Sequence, residues 1–326
     1  MKAVYLNGPG GPEALIYGVL PDPSPGPGEI LVRMRAAGVN HVDTVRRSGV
    51  RTYFKLTPPH ILGSEFAGEV AALGPGVTNH KVGDRVFGRP VHGTYAELAV
   101  AKAGAMFRLP DDVSFEDGAG LGTTLPEAWT ALIRRGKIVA GEAVLITAGA
   151  SGTGAVMIQL AKSAGCFVIA TAGGKQKLDF ARQVGADAVI DHYKEDVAAR
   201  IKEVTNGRGL DVAVDGTCSA PLFNAMIDAL RPGGRLVIYG NMASPELTMN
   251  VRNVFFKGLK LIGGQGGDPD ELAAQRDADV VGMLRLVSAG KVRIMKDRVL
   301  PLAEAAKAHR LLEAHAAVGK LILTAG

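Results

Sequence analysis

The chain has 326 residues, 47% of them hydrophobic and 21% charged, which suits two domains with sizeable cores and excludes a disordered chain. A net charge of +5 without a dense Lys/Arg tract argues against nucleic acid as a partner and for a mild bias toward anionic ligands. No apolar run reaches bilayer length, the opening MKAVYLNGPGG has no leader-like stretch, and Cys166 and Cys218 are too few for a disulfide framework or a cysteine zinc site, so a cytoplasmic protein without a membrane partner is expected.

Lys2 to Leu6 reads as a strand that turns at Gly8 to Pro12 into a short hairpin. The run PDPSPGPG, Pro21 to Gly28, is an extended loop, because proline removes ladder donors. Ile30 to Ala36 alternates, with Ile30, Val32 and Met34 on one face and Leu31, Arg33 and Arg35 on the other, as a half-buried strand does. Short strands follow over Gly68–Leu73, Arg85–Gly88, Tyr95–Val100 and Met106–Leu109, separated by glycine turns, so this part reads as mostly β. Ser114 and Asp117 resemble a capping box, and Pro126-Glu127 has the form of a second helix start, running to Arg135.

From Ala143 the texture alternates. Strands are expected at Ala143–Thr147, Phe167–Thr171, Ala188–Asp191, Val212–Asp215, Arg235–Tyr239 and Lys260–Ile262, with helices near Lys177–Val184, Asp196–Val204 and Leu222–Leu230. That order predicts an α/β fold with a doubly wound parallel sheet of six strands. Beyond Gly263 come a loop (GGQGGDPDE), amphipathic helices at Asp277–Ser288 and Ala303–Leu312, and a last strand at Leu321–Thr324. The tail is too short for a domain of its own and is expected to rejoin the first. The expected division is 1–122 with 266–326, and 123–265.

The stretch Ala143 to Ala172 is strand, glycine turn, helix, strand. Its turn holds Gly149, Ala150, Ser151, Gly152, Thr153 and Gly154. Glycine lets the backbone approach a pyrophosphate, and the unpaired N–H groups of the helix start attract it. The second strand ends in Ala172-Gly173-Gly174, with no carboxylate for a ribose 2′-hydroxyl, and Lys175 and Lys177 follow. Cations at a helix N-terminus are disfavoured, so a phosphate that neutralises them favours NADPH; the alternative is two solvated surface lysines. Tyr193, just past the third strand, either joins the adenosine end or is a half-exposed strand-end residue.

The order of further motifs is more specific. AAGVNHVDTVRRSG (Ala36–Gly49), GSEFAGEV (Gly63–Val70), VGDRV (Val82–Val86), GTYAEL (Gly93–Leu98), TAGASGTG, GADAVID (Gly185–Asp191), RPGGRLVIYG (Arg231–Gly240) and PLAEAAKAHRLLEAHAAVGKLIL (Pro301–Leu323) span nearly the whole chain. Together they resemble the zinc-independent quinone oxidoreductases, the zeta-crystallin group of the medium-chain dehydrogenase/reductase superfamily. The resemblance implies a GroES-like, mostly-β catalytic domain, a Rossmann domain, and a cleft between them. It also implies NADPH with pro-R-type hydride transfer, and a homodimer joined near Leu259–Ile262. It brings Gly319 and Lys320 toward the cofactor, and Gly240 and Asn241 toward its nicotinamide or ribose.

Zinc-dependent relatives carry cysteine where Asn40 stands and histidine where Ser64 stands; of that pair of adjacent residues only Glu65 remains. The histidines show no ligand spacing, and His41, His60, His80 and His92 read as loop residues, so no metal is expected. Without zinc, hydrogen-bond donors must stabilise the charge that hydride transfer builds on a substrate oxygen. Asn40 is the leading donor, with Asp43 to orient it, although Asn-x-x-Asp is equally a helix-capping pair. Tyr53 has a phenol suited to bonding or protonating a substrate. Thr123 and Thr124 either meet the nicotinamide edge or cap a helix. An aromatic residue often follows the Asn-Asp motif in the group; Val45 stands there, which leaves the substrate open. The expected activity is zinc-free, NADPH-dependent reduction of quinones or α,β-unsaturated carbonyls, with enoyl-thioester reduction or non-catalytic NADPH binding as alternatives.

Overall fold

A computed structural model describes residues 1–50, 56–90, 93–244, 246–266 and 269–325, with 269–277 described by their backbone only. The chain divides into two units, Met1–Thr124 with Ile294–Gly326, and Leu125–Arg293.

The first unit opens with strands β1 (Lys2–Leu6) and β2 (Ile16–Val19), the expected hairpin. Strand β3 (Glu29–Val39) begins with the expected alternation, Ile30, Val32 and Met34 buried. From Ala36 to Val39 every residue is buried, because neighbouring strands cover that end. Helix α1 (His41–Ser48) follows and ends at Gly49, whose φ of 67° is a left-handed conformation that glycine adopts without strain. Strands β4 (His60–Ile61), β5 (Phe66–Leu73), β6 (Arg85–Gly88), β7 (Leu98–Lys102) and β8 (Met106–Arg108) complete the run.

Helix α2 (Phe115–Trp129) starts at the predicted cap: the Ser114 hydroxyl donates to Asp117 at 2.6 Å and accepts the Asp117 N–H at 3.1 Å. Pro126 starts no second helix. It lies inside α2, which continues as a π-helical stretch over Thr130–Arg135. Leu121, Leu125, Ala128 and Leu132 form one buried stripe across the proline, and that apolar continuity outweighs one lost backbone bond. The division between the units falls within α2.

The second unit alternates as expected: β9 (Ala143–Ile146), α3 (Gly152–Ser163), β10 (Phe167–Ala172), α4 (Lys175–Val184), β11 (Ala188–Asp191), α5 (Val197–Val204), β12 (Leu210–Asp215), α6 (Ala220–Ala229), β13 (Leu230–Ile238), α7 (Val251–Lys257), β14 (Lys260–Gly263) and α8 (Pro269–Ser288). The six strands are parallel, in the order β11-β10-β9-β12-β13-β14, a Rossmann sheet. Helices cover both faces of such a sheet, so β9 is buried at every position. The sequence reading omits α7, which Asn250 caps through the Arg252 N–H at 2.9 Å. It also starts α8 late; Pro269 at the first turn, followed by two acids, is a start signal that the preceding glycines obscure.

Strand β15 (Lys296–Pro301), helix α9 (Ala305–Glu313) and strand β16 (Lys320–Thr324) belong to the first unit. The return comes at Ile294, where the sequence reading places it at 266. Helix α8 stays with the second unit because Arg134 ion-pairs with Asp279 and Gly282 sits against the Trp129 ring. One sheet of the first unit runs β15-β16-β3-β5-β6-β8, with β7 also on β3; the other runs β2-β1-β4. Val4, Leu6, Ile30, Phe66, Tyr95 and Leu321 lie in the core of this unit.

Candidate functional site

In the second unit, β9 delivers the chain into the glycine turn. Gly149 N–H donates to Thr171 O at 2.9 Å, and Ser151 caps α3 by accepting the Gly154 N–H at 3.0 Å. A side chain on Gly154 would collide with the backbone of Ala148 and Gly149, so the helix start lies tightly on the turn. First-turn N–H groups, those of Gly152 and Thr153 here, have no partner within a helix and point outward from its end. Ala150, in the same turn, is buried.

At the end of β10, Gly173 faces the Tyr193 ring so closely that a β-carbon would overlap it. The carboxylate of Asp191, at the end of β11, is occupied by the backbone: it accepts the N–H of Tyr193 at 3.1 Å and of Gly174 at 3.3 Å. Lys175 ion-pairs with Asp179, whereas Lys177 is half-buried and has no acidic partner among the described residues. Burial and the charge of Lys177 both hold the pKa of His192 below its ordinary value, after opposition by Asp191. The structure thus gathers Gly173, Tyr193, Lys177 and His192; sequence reasoning missed His192. The Thr171 hydroxyl is buried without a partner among the described residues. Gly240 lies against Gly216, and its carbonyl accepts from the Cys218 thiol at 3.2 Å; Asn241 is next to it in the chain.

In the first unit, three strands build a buried polar group. The β16–β3 register pairs Leu321 with Val39, which sets Lys320 beside Asn40. The β3–β5 register pairs Ala37 with Phe66, which sets Glu65 beside Gly38. A side chain at Gly38 would strike the Glu65 carboxylate, so glycine makes room for it there. Glu65 is fully buried, and Lys320 is 3% exposed. Their ion pair is 2.5 Å long. Glu65 also accepts from the Asn40 amide at 2.8 Å and from the Thr123 N–H at 2.5 Å. The Asn40 amide oxygen accepts from Lys320 at 2.6 Å, and its other hydrogen goes to the Ser64 hydroxyl at 3.1 Å. Charge fixes the orientation of this amide, since an ammonium only donates and a carboxylate only accepts. Both amide hydrogens are therefore engaged.

The capping geometry is also present. The Asp43 carboxylate accepts the Asn40 N–H at 2.9 Å and the Tyr95 hydroxyl at 3.1 Å. Burial raises the Asp43 pKa to about 6, against the opposing Asn40 hydrogen bond and the nearby charges of Lys320 and Arg46. Tyr95 also meets His309 at 3.2 Å. Burial, with Arg47 and His41 adding to it, lowers the His309 pKa to about 3. Burial, with His315 and Lys320, lowers that of His41 to about 4. Gly319 has φ of 101°, and a β-carbon there would strike the Met295 carbonyl. The Thr124 hydroxyl is buried and unpartnered among the described residues. Tyr53 lies outside the described residues. Glu65, Ser64 and Tyr95 were given no role from sequence; the signal was present as a lysine that opens one apolar strand and a glutamate that directly precedes another.

Among the described residues no three His, Cys, Asp or Glu side chains form a metal-binding group. The donors at 40, 64 and 65 are an amide, a hydroxyl and a carboxylate already neutralised by Lys320, a set that does not fit zinc.

Residues 26–111 match the alcohol dehydrogenase GroES-like domain, and residues 152–279 match the family described as zinc-binding dehydrogenase. A quinone oxidoreductase of Pseudomonas aeruginosa is 35% identical, with 99% of each chain covered. Phthioceranic/hydroxyphthioceranic acid synthase of Mycobacterium tuberculosis is 35% identical over 92% of this chain, which spans 14% of that much longer protein. A crystal structure described as an NAD-dependent alcohol dehydrogenase superposes with a TM-score of 0.91, at 35% identity and 100% coverage of both chains. The Escherichia coli quinone oxidoreductase complexed with NADPH superposes with a TM-score of 0.89, at 29% identity, covering 99% of this chain and all of that one. Full-length identity of this order, carried on a GroES-like unit and a six-stranded parallel sheet, places the chain among the oxidoreductases of the quinone oxidoreductase family, within the medium-chain dehydrogenase/reductase superfamily.

Proposed function

We propose that this protein is an NADPH-dependent, zinc-independent reductase that transfers hydride to quinones or α,β-unsaturated carbonyls and acts as a cytoplasmic homodimer. The observation that carries the reading is the acid-free end of β10 beside Lys177, a half-buried ammonium with no carboxylate partner among the described residues. A cofactor 2′-phosphate would satisfy that charge; a 2′-hydroxyl would not. The NADPH complex of the Escherichia coli relative supports this choice, and the relative described as NAD-dependent makes the NADH control essential.

In this reading Gly149, Ala150, Ser151, Gly152, Thr153 and Gly154 cradle the pyrophosphate at the start of α3. Gly173, Lys177 and Tyr193 take the adenosine end. Thr124, Gly240, Asn241, Gly319 and Lys320 serve the nicotinamide half. Asn40, Asp43 and Tyr53 act on the substrate side, in a catalytic domain made of the first unit. When bound, the cofactor supplies the hydride. The chain's own task is to orient the acceptor and stabilise its oxygen. The proposed dimer edge is β14, beside which α7 exposes Phe255 (79%) and Phe256 (73%).

The test is oxidation of NADPH, and separately NADH, against an ortho-quinone, a 2-alkenal and crotonyl-CoA. Turnover of quinone or alkenal with NADPH preferred supports the reading. The similarity to part of the Mycobacterium tuberculosis phthioceranic/hydroxyphthioceranic acid synthase supports enoyl-thioester reduction as the second reading, and turnover of crotonyl-CoA alone selects it. Tight NADPH binding without turnover on any acceptor selects the non-catalytic alternative.

A further inference from the structure

We propose that the Ser64 hydroxyl, and not the Asn40 amide, is the group that donates to the substrate oxygen, and that Asn40, Glu65 and Lys320 act through it as positioning residues. The proposal rests on the reductase reading above. Three observations lead to it.

The first is an inventory of hydrogens. The Asn40 amide gives one hydrogen to Glu65 at 2.8 Å and the other to Ser64 at 3.1 Å, and it accepts from Lys320 at 2.6 Å. It has no hydrogen left for a substrate. Ser64 is in the opposite state. Its oxygen accepts from Asn40, and its own proton has no acceptor among the described residues. A hydroxyl that accepts one bond becomes a better donor of another, because the two bonds polarise each other.

The second is position. Ser64 is 4% exposed, so little bulk water competes for it, and it lies in the wall of a cavity of about 890 Å3 in the first unit. Gly63 and Gly93 line the same cavity. The Ser64 carbonyl and the Glu65 carboxylate are tied to Thr123, at 3.5 Å from its hydroxyl and 2.5 Å from its N–H. The backbone that carries the hydroxyl is thereby fixed before any substrate arrives, as preorganised stabilisation requires.

The third is charge. An enone that receives hydride at its β-carbon shifts its π electrons onto oxygen, and a quinone likewise becomes a hydroquinone monoanion. The oxygen carries one negative charge until water supplies a proton, to the enolate α-carbon or to the phenolate. A bare carboxylate nearby would oppose that charge. Glu65 is neutralised by Lys320 at 2.5 Å, so what reaches Ser64 is the Asn40 dipole, not the Glu65 charge.

The experiment compares Ser64→Ala and Ser64→Cys with the wild type. Cysteine keeps the size but is a weak donor. On the acceptor that the wild type reduces best, kcat falls on the order of 10²-fold in both, the scale of one lost oxyanion donor. The dissociation constant for NADPH, read by fluorescence titration, stays within about twofold, and the melting temperature holds. Asn40→Ala lowers kcat less than Ser64→Ala, and the double variant is no slower than Ser64→Ala alone, because the amide acts only through the hydroxyl. Wild-type-like kcat in Ser64→Ala overturns the proposal, as does a double variant slowed by the product of the single effects. A wild type without turnover on any acceptor overturns the reductase reading instead, and the two failures are thus distinct.

Discussion

Replacing Lys320 by methionine tests the buried ion pair directly. Methionine keeps the length and apolar stem of lysine and removes the ammonium. The Glu65 carboxylate, fully buried, then keeps only the Asn40 amide and the Thr123 N–H as donors among the described residues. Breaking one side of a buried pair leaves an uncompensated charge and costs about 3–5 kcal/mol. For a domain of this size each kcal/mol moves the melting temperature by about 2–4 °C, so a fall of about 6–20 °C is expected. The companion variant carries Glu65→Gln as well. With both charges gone the desolvation penalty disappears, and most of the lost stability returns. Thermal unfolding of the two single variants and the double variant, followed by circular dichroism, completes the cycle. A Lys320→Met protein within about 2 °C of wild type would refute the argument, as would a double variant no more stable than Lys320→Met. A small thermal change with a large loss of NADPH affinity would instead assign Lys320 to the cofactor alone.

Acid sensitivity has a calculable sign. His41 and His309 have folded pKa values lowered to about 4 and about 3, so protonation favours the unfolded chain and stability falls with acidification below about pH 6.5. Asp43, raised to about 6, acts oppositely: it binds its proton in the folded state first, which returns roughly 3 kcal/mol as pH falls from 6 to 4. Urea titrations between pH 4 and 7 should therefore show net acid destabilisation, and Asp43→Asn should make that slope steeper; a shallower slope contradicts the assignment. Lys177→Ala should raise the dissociation constant for NADPH by about 10-fold or more and leave that for NADH nearly unchanged, because a charge-assisted bond to phosphate is worth about 1.5–3 kcal/mol; equal losses would remove the 2′-phosphate role. Gly154→Ala should abolish measurable dinucleotide binding by calorimetry, since the added carbon overlaps the Ala148 carbonyl, and retained binding would show that the turn relaxes.

The second unit was legible because its signals are local. Each buried strand is a short apolar run, and the glycine turn carries its own chemistry, so β9 and β10 fell within a residue of their expected places, while α3 starts at Gly152, inside the expected turn. The failures have equally local causes. Pro126 reads as a helix start, yet the buried stripe from Leu121 to Leu132 holds the helix through it. The glycines before Pro269 conceal the true start of α8, and with it the point at which the chain returns to the first unit. Strand β15 was missed because its exposed charged residues give no apolar alternation; pairing with β16 makes it a strand.

The polar group of the first unit was not legible in the same way, although every member was visible. Asn40 and Asp43 satisfied both the capping and the catalytic reading; in the fold the Asp43 carboxylate caps the backbone N–H of Asn40, while the Asn40 side chain bonds Glu65, Ser64 and Lys320. No spacing rule joins Lys320 to Glu65, because the contact depends on two strand registers, β16 on β3 and β3 on β5. What the sequence does contain is a physical inconsistency. A lysine opening the apolar strand KLILT and a glutamate entering FAGEVAAL are each too costly to bury alone. Two such residues of opposite sign in one domain require each other, and whatever hydrogen-bonds to both is held in one orientation. Here that residue is Asn40, which makes its amide a fixed dipole and leaves the neighbouring Ser64 hydroxyl with the proton to give.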